Sequence, residues 1–241
     1  WQRQSLSDYG VSFDRWFSER ELRASGAVEK LIDDMKADGH VFEAEDAVWF
    51  RSTTFGDDKD RVLIKNDGTY TYVAPDLAYH KNKLERGFEK LIDILGPDHH
   101  GYQGRMQAGI SSFGYPEGTL EVILLQFVTL MQDGQPVKMS KRAGEFITME
   151  ELLEDVPRDA ARYFFIMRNT SSHLDFDINL AKATTMDNPV WYIQYAHARA
   201  CSILRQAEAS QIDQAEWKNP DLSLLTNDAE TRLIKKMATY S

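Results

Sequence analysis

Leu91-Ile92-Asp93-Ile94-Leu95-Gly96-Pro97-Asp98-His99-His100-Gly101 decides the fold. Leu91–Leu95 is a short apolar run with the composition of a strand, and it stops at Gly96. After Gly101 the pattern predicts a helix that ends near Gly114-Tyr115-Pro116, and Glu121 to Met131 then reads as a buried strand from its length and branched residues. Strand, helix and strand in this order imply a parallel α/β sheet. Such sheets bind ligands beyond the carboxyl ends of their strands, which is where Asp98, His99 and His100 fall. Asp98 has acceptors for ribose hydroxyls, and the two histidines suit aminoacyl or phosphate groups. A zinc site is the rival reading, but adjacent histidines in an extended segment point to opposite sides and no Cys or His pair lies nearby. The plain alternative is a hydrogen-bonded turn with one partly buried histidine.

Outward from this stretch, residues 1 to about 56 read as mostly helical, with Leu22, Val28, Leu31, Ile32 and Met35 at three and four spacings and Trp16, Phe17, Trp49 and Phe50 as anchors. Arg61–Ile64, the turn Asn66-Asp67-Gly68 and Thr69–Val73 form a strand-turn-strand signal. A helix is expected from about Pro75 to Gly87. From Met149 the spacing of Leu152, Leu153, Val156, Ala161, Phe164, Phe165 and Met167 predicts helices broken by Pro157, so the last hundred residues read as helical. A loop over Asn169–Asn179 precedes a further helix carrying Ile193, Ala196, Ala200, Ile203 and Ala207 on one face.

Composition bounds the function classes. The 241 residues are 42% hydrophobic, enough to close a sizeable core, and no apolar run approaches the roughly 20 residues of a membrane span. Cys201 is the single cysteine, which excludes an internal disulfide and fits a reducing compartment such as the cytoplasm. The net charge of −10 is opposite to the broad basic footprint of nonspecific nucleic-acid binding, so any phosphate contact must be local.

Two motifs carry the chemistry. Val137-Lys138-Met139-Ser140-Lys141-Arg142 follows the turn Asp133-Gly134-Gln135-Pro136 and places three cations in five residues. An arbitrary basic pentapeptide is a solvated loop, but Lys-Met-Ser-Lys resembles the signature loop of class I aminoacyl-tRNA synthetases. Lys138 and Lys141 are compact charges that can follow a polyphosphate, and Ser140 adds a hydrogen bond as charge develops on a pyrophosphate leaving group. The second motif is Tyr70-Thr71-Tyr72-Val73-Ala74-Pro75-Asp76-Leu77-Ala78-Tyr79 after the Asn66-Asp67-Gly68 turn. Taken alone, Tyr72 is a core residue and Asp76 a charge at a helix start. Together they resemble the arginyl-tRNA synthetase pattern of a turn, a tyrosine and an aspartate opening a helix. Asn188-Pro189-Val190-Trp191-Tyr192 through Arg199 resembles that family's junction into its anticodon-binding domain.

The resemblance to bacterial arginyl-tRNA synthetases runs from Phe13 to about Arg205. It implies the second half of a Rossmann-like parallel-sheet catalytic domain, then a helical stem-contact region, then the start of an all-α anticodon-binding bundle. Its boundaries fall at 1–56 for a connecting segment, 57–147 for the catalytic part ending in the KMSKR loop, 148–186 and 187–241. It implies L-arginine, ATP with magnesium and tRNA(Arg) as substrates, no zinc or organic cofactor, no membrane, and a monomeric parent. It gives Lys138, Ser140 and Lys141 the catalytic role; Asp98, His99, Val137, Lys138, Met139 and Lys141 the ATP; and Tyr72, Asp76 and His99 the arginine. By spacing His197 and Arg199 are a structural pair in a packed helix, and the resemblance offers tRNA contact instead. No His-x-Gly-His string occurs in the chain, although the class uses one opposite the KMSK loop, and both ends look cut, so these residues alone are expected to be inactive. Two other readings stand beside this one: a non-catalytic binding module derived from a synthetase, and another class I synthetase such as the cysteinyl enzyme.

Overall fold

The computed structural model describes residues 1–99, 101–137, 147–211 and 221–240, and the chain divides into two compact units, Trp1–Lys182 and Ala183–Ser241. The first unit opens with helices α1 (Gln2–Asp8), α2 (Glu19–Ala24) and α3 (Ala27–Ala37). Ser18 caps α2 by accepting from the Glu21 N–H at 3.2 Å, and Glu19 and Glu21 stand in the first turn, where the helix dipole favours negative charge. On α3 the spaced residues Val28, Leu31, Ile32 and Met35 are all buried.

Beyond Ala37 the helical expectation for residues 1–56 fails. Strands β1 (Val41–Ala44) and β2 (Ala47–Phe50) form an antiparallel hairpin, and β3 (Arg61–Ile64) adds to β2. The hairpin turns on Glu45-Asp46, both left-handed at φ 54° and 55°, a geometry that sequences usually signal with glycine or asparagine. Two acidic residues hide it. Before β3, Arg61 forms a bidentate pair with Asp57 at 2.7 and 2.8 Å and also holds Asp58. Burial pushes the Asp57 carboxyl up, but hydrogen bonds from Arg61, the Asp58 N–H and Ser52 together outweigh it and hold the group at about 2.

The turn after β3 forms as expected, with Gly68 at φ 78° and the Asp67 carboxylate accepting from the Thr69 N–H at 2.9 Å. The return strand over Thr69–Val73 shrinks to one bridge between Ile64 and Tyr70, because helix α4 (Val73–Glu85) begins at once. Pro75 sits in the first turn of α4, where its missing N–H costs no helical bond. Strands β4 (Leu91–Leu95) and β5 (Leu120–Leu124) run parallel in register from Leu91↔Leu120 to Leu95↔Leu124, and helix α5 (Tyr102–Ser112) connects them. This is the strand-helix-strand unit expected from the sequence. Helices α4 and α5 meet closely at Gly109, where a built Cβ would lie 2.1 Å from Leu77 Cδ2.

The expected single strand over Glu121–Met131 is two strands in different sheets. Leu125 N–H still donates to the Leu95 carbonyl at 2.8 Å, whereas Gln126 N–H donates to the Thr170 carbonyl at 3.1 Å, so the backbone changes partner between neighbouring residues. The second sheet has β6 (Val128–Gln132) between antiparallel β7 (Gln135–Pro136) and parallel β8 (Leu174–Asp177). β8 replaces the loop expected over Asn169–Asn179 and interrupts the helical tail; Leu174 and Phe176 alternate inward, and Phe176 packs against Phe164 and Phe165. Helices α6 (Met149–Asp155) and α7 (Arg158–Ile166) are parted by Pro157 as predicted, and α8 (Ile178–Lys182) follows. The second unit carries α9 (Pro189–Ala209), capped by Asn188, and α10 (Asp228–Ala238), capped by Asn227 with Glu230. Among the described residues no helix is long and apolar enough to cross a membrane.

Candidate active site

Tyr72 and Asp76 lie one helical turn apart, with the Asp76 N–H donating to the Tyr72 carbonyl at 3.3 Å. Tyr72 is the N-cap of α4 and is 85% exposed, so the core position that its residue type alone favours is not where it sits. Asp76 is half-buried in the first turn. Burial pushes its carboxyl above the ordinary value, against the opposing pull of a hydrogen bond from the Tyr102 hydroxyl. Burial, with the neighbouring Asp76 charge, also pushes the Tyr102 hydroxyl upward, so it remains a donor at neutral pH.

One turn further along α4, His80 is buried. Its Nδ1 lies 2.7 Å from the Asp76 carbonyl oxygen and its Nε2 lies 2.6 Å from Asp93 Oδ2. Lys83 Nζ reaches Asp93 Oδ1 at 3.0 Å. Burial pushes the Asp93 carboxyl up, but His80 and Lys83 outweigh it and hold the group below the ordinary carboxylate range. Both His80 nitrogens thus face oxygen atoms, one of the α4 backbone and one of the Asp93 carboxylate. The sequence reading missed His80, Asp93 and Tyr102. Asp93 had a usable signal, a lone charge within an apolar strand, since a buried charge needs a partner.

Asp76 and Tyr79 form one side of a cavity of about 880 Å³, Trp16 and Phe17 line a second, and Thr148, Met149 and Glu150 a third. Thr148 caps α6 through a reciprocal capping box with Glu151, which fixes that third side. Thr148–Glu150 is also where the chain returns from the KMSKR segment. At the departing end the Asp133-Gly134 turn, at φ 51° and 73°, closes the β6–β7 hairpin, and Val137 N–H donates to the Leu130 carbonyl at 2.8 Å. Lys138, Met139, Ser140 and Lys141 lie outside the described residues, as does His100.

Asp98 and His99 occupy a short 3-10 turn, Pro97–His99, beyond the carboxyl end of β4. Both are exposed, and His99 Nε2 lies 3.8 Å from Asp98 Oδ1. A Cβ on Gly96 would meet Asp98 Oδ1 at 2.8 Å, so the glycine lets that carboxylate fold back over the chain. The His99 ring stands edge-on to Tyr102 at 6.1 Å, which connects the Pro97–His99 turn through Tyr102 to Asp76. In the second unit His197 and Arg199 are both exposed on α9, so the packed-pair reading of them is corrected. A His197 ring nitrogen lies 3.6 Å from Cys201 Sγ, one turn away.

The family model described as "tRNA synthetases class I (R), catalytic domain" matches residues 17–188. The chain belongs to the arginyl-tRNA synthetase family. A second model, the DALR anticodon binding domain, matches residues 193–241. The chain is 52% identical over 235 residues to the arginine–tRNA ligase of Symbiobacterium thermophilum, covering 98% of this chain and 42% of that protein. With the arginine–tRNA ligase of Bacillus subtilis the identity is 51% over 238 residues, covering 99% and 42%. The chain therefore spans about two fifths of the length of these relatives. Among solved structures, a Campylobacter jejuni protein assigned as an arginyl-tRNA synthetase superposes with a TM-score of 0.77 at 40% identity, over 86% of this chain and 45% of its own. The Thermus thermophilus arginyl-tRNA synthetase shares the fold, with a TM-score of 0.72 at 22% identity over 95% and 47%. A class I catalytic domain with parallel strands, followed by a helical anticodon domain, is thus the architecture, as the sequence led us to expect.

Proposed function

We propose that this chain supplies the arginine pocket and the pyrophosphate loop of an arginyl-tRNA synthetase. In that reaction a carboxylate oxygen of L-arginine attacks the α-phosphorus of ATP and the bond to pyrophosphate breaks. The arginyl group then passes from the adenylate to the 3′-terminal adenosine of tRNA(Arg), releasing AMP. ATP enters as its magnesium complex and is a substrate.

The observation that carries this reading is Asp76, a half-buried carboxylate with a raised proton affinity at the edge of a cavity. A guanidinium relieves that burial by pairing with it, whereas an uncharged side chain leaves it unpaired. The exposed ring of Tyr72 is free to cover the rest of the arginine side chain. We assign Asp98 and His99 to nucleotide contacts, His99 also to arginine, and Val137, Lys138, Met139 and Lys141 to the ATP phosphates. Lys138, Ser140 and Lys141 stabilise charge on the departing pyrophosphate, an energy realised mainly in the transition state. His197 and Arg199 are assigned to tRNA contact.

In a full-length synthetase carrying this chain, Asp76→Ala should weaken arginine roughly 30-fold, the equivalent of about 2 kcal/mol for a charge-assisted hydrogen bond, while ATP affinity holds. Equal loss of both ligands would overturn the assignment. Lys141→Ala should slow activation more than it weakens ATP, and an unchanged rate would remove the leaving-group role. Because the 241 residues contain no His-x-Gly-His string, the chain alone should be inert in arginine- and tRNA-dependent pyrophosphate exchange. Exchange at the rate of a complete synthetase would refute that expectation.

A further inference from the structure

We infer that Tyr102 is a positioning residue for arginine recognition: its hydroxyl engages one oxygen of the Asp76 carboxylate and so presents the other to the guanidinium. The inference rests on the arginine-pocket reading of Asp76 and adds a second residue to it.

The geometry starts from two helix ends. Asp76 lies in the first turn of α4, Tyr102 is the first residue of α5, and the hydroxyl of one donates to Oδ2 of the other. The Tyr102 ring is itself fixed, edge-on to His99 and with the Arg105 guanidinium 5.9 Å from its centroid. Close packing of α4 on α5 at Leu77 and Gly109, about two turns along α5 from Tyr102, sets the distance between the two helices. A carboxylate held from one side by a rigid phenol loses rotational freedom before substrate arrives, so less is lost on binding.

The electrostatics favour the same role. The groups that act on the Asp76 charge are Glu19 from α2, His80 from its own helix, Asp93 from β4 and Tyr102 from α5, and Arg15, Tyr79 and Glu150 line the same cavity. Burial, Glu19 and Asp93 favour the protonated carboxyl, while Tyr102 and His80 favour the ionised form. A protonated Asp76 cannot pair with a guanidinium. By donating, Tyr102 widens the pH range over which the carboxylate is ready for arginine.

The test is arginine binding by calorimetry across pH in the full-length synthetase, with ATP binding as the control. Tyr102→Phe should weaken arginine roughly tenfold and move the acid limit of binding to higher pH, because the carboxyl loses its donor. Replacing Tyr102 by 3-fluorotyrosine, a stronger donor of nearly the same shape, should move that limit to lower pH. ATP affinity should stay at the wild-type value in both. Wild-type affinity and an unmoved limit for the phenylalanine variant, or shifts of the same sign for both variants, would overturn the inference. If Tyr102→Phe loses ATP binding through misfolding, the fluorotyrosine shift decides alone. Asp76→Asn run in parallel separates the two claims. If it leaves arginine binding intact, the pocket reading fails and takes this inference with it. If it abolishes binding while Tyr102→Phe has no effect, the positioning role fails by itself.

Discussion

Gly109→Ala sets two physical effects against each other, and the structure decides which wins. In the interior of α5, alanine gains about 1 kcal/mol over glycine in helix propensity. Its methyl would lie 2.1 Å from Leu77 Cδ2, 3.3 Å from Cγ and 3.4 Å from Cδ1. Carbon atoms in contact rest at about 3.5–4.0 Å, so Cδ2 must retreat by more than about 1 Å. Rotating the leucine brings little relief when both other branch atoms are already close, and a fully buried side chain cannot swing into solvent. Overpacking costs about 1–3 kcal/mol, and an overlap this deep belongs at the upper end, which leaves a net loss of about 2 kcal/mol. For a chain of this size that lowers Tm by about 4–8 °C in a circular dichroism melt. Leu77→Ala alone should cost about 2–5 kcal/mol, and adding Gly109→Ala to it should cost less than the sum, because the new methyl enters the space that leucine left. A Gly109→Ala protein that melts at or above the wild-type temperature, or a strictly additive double variant, would refute the close approach of α4 and α5.

Asp57→Asn breaks a buried pair and should lower stability by about 3 kcal/mol in urea unfolding. The folded carboxyl, at about 2, lies below its ordinary 3.8, so its contribution is complete above that ordinary value and lost as pH falls through about 2. Wild type and Asp57→Asn should therefore converge in stability at strongly acid pH, and a constant gap would exclude Asp57 as the source. Thr148→Ala removes the cap of α6 and should cost about 1 kcal/mol, seen as faster amide exchange over residues 149–151. Unchanged exchange there would mean that packing holds the turn. Tyr72→Ala should change stability by less than about 0.5 kcal/mol while weakening arginine, and a shift of several degrees in the melt would mean that the ring packs after all.

What the sequence made legible was whatever one local signal could carry. Leu91–Leu95, Gly101 and Pro157 announced their elements, and Asn66-Asp67-Gly68 its turn, through spacing and backbone-restricted residue types. The hairpin at Glu45-Asp46 was hidden because its turn holds neither glycine nor asparagine, and glutamate seldom takes the left-handed conformation. The break at Leu125-Gln126 was hidden because a strand that changes sheets keeps its apolar composition while only its partner differs. At the site, Asp76 was legible through the family pattern around it. Tyr102 and His80 were not, because their roles come from contacts across 26 and 13 residues of sequence. No periodicity records such distances.

The alternation along β4 also limits how the chain can vary in length. Leu91, Asp93 and Leu95 turn inward while Ile92 and Ile94 are exposed, and the same five residues lead directly to Asp98 and His99. Inserting or deleting one residue here would reverse the side chains of the shifted strand, turning isoleucine toward the partners of Asp93 and leaving His80 and Lys83 without the carboxylate they share. It would also displace the Asp98 turn by about 3.3 Å, one strand residue. β4 thus acts as a ruler between the side chains that His80 and Lys83 hold and the Asp98 turn. Substitutions along it are graded in their effect, but a change of register is all or nothing, so viable insertions should fall in the connections that flank it.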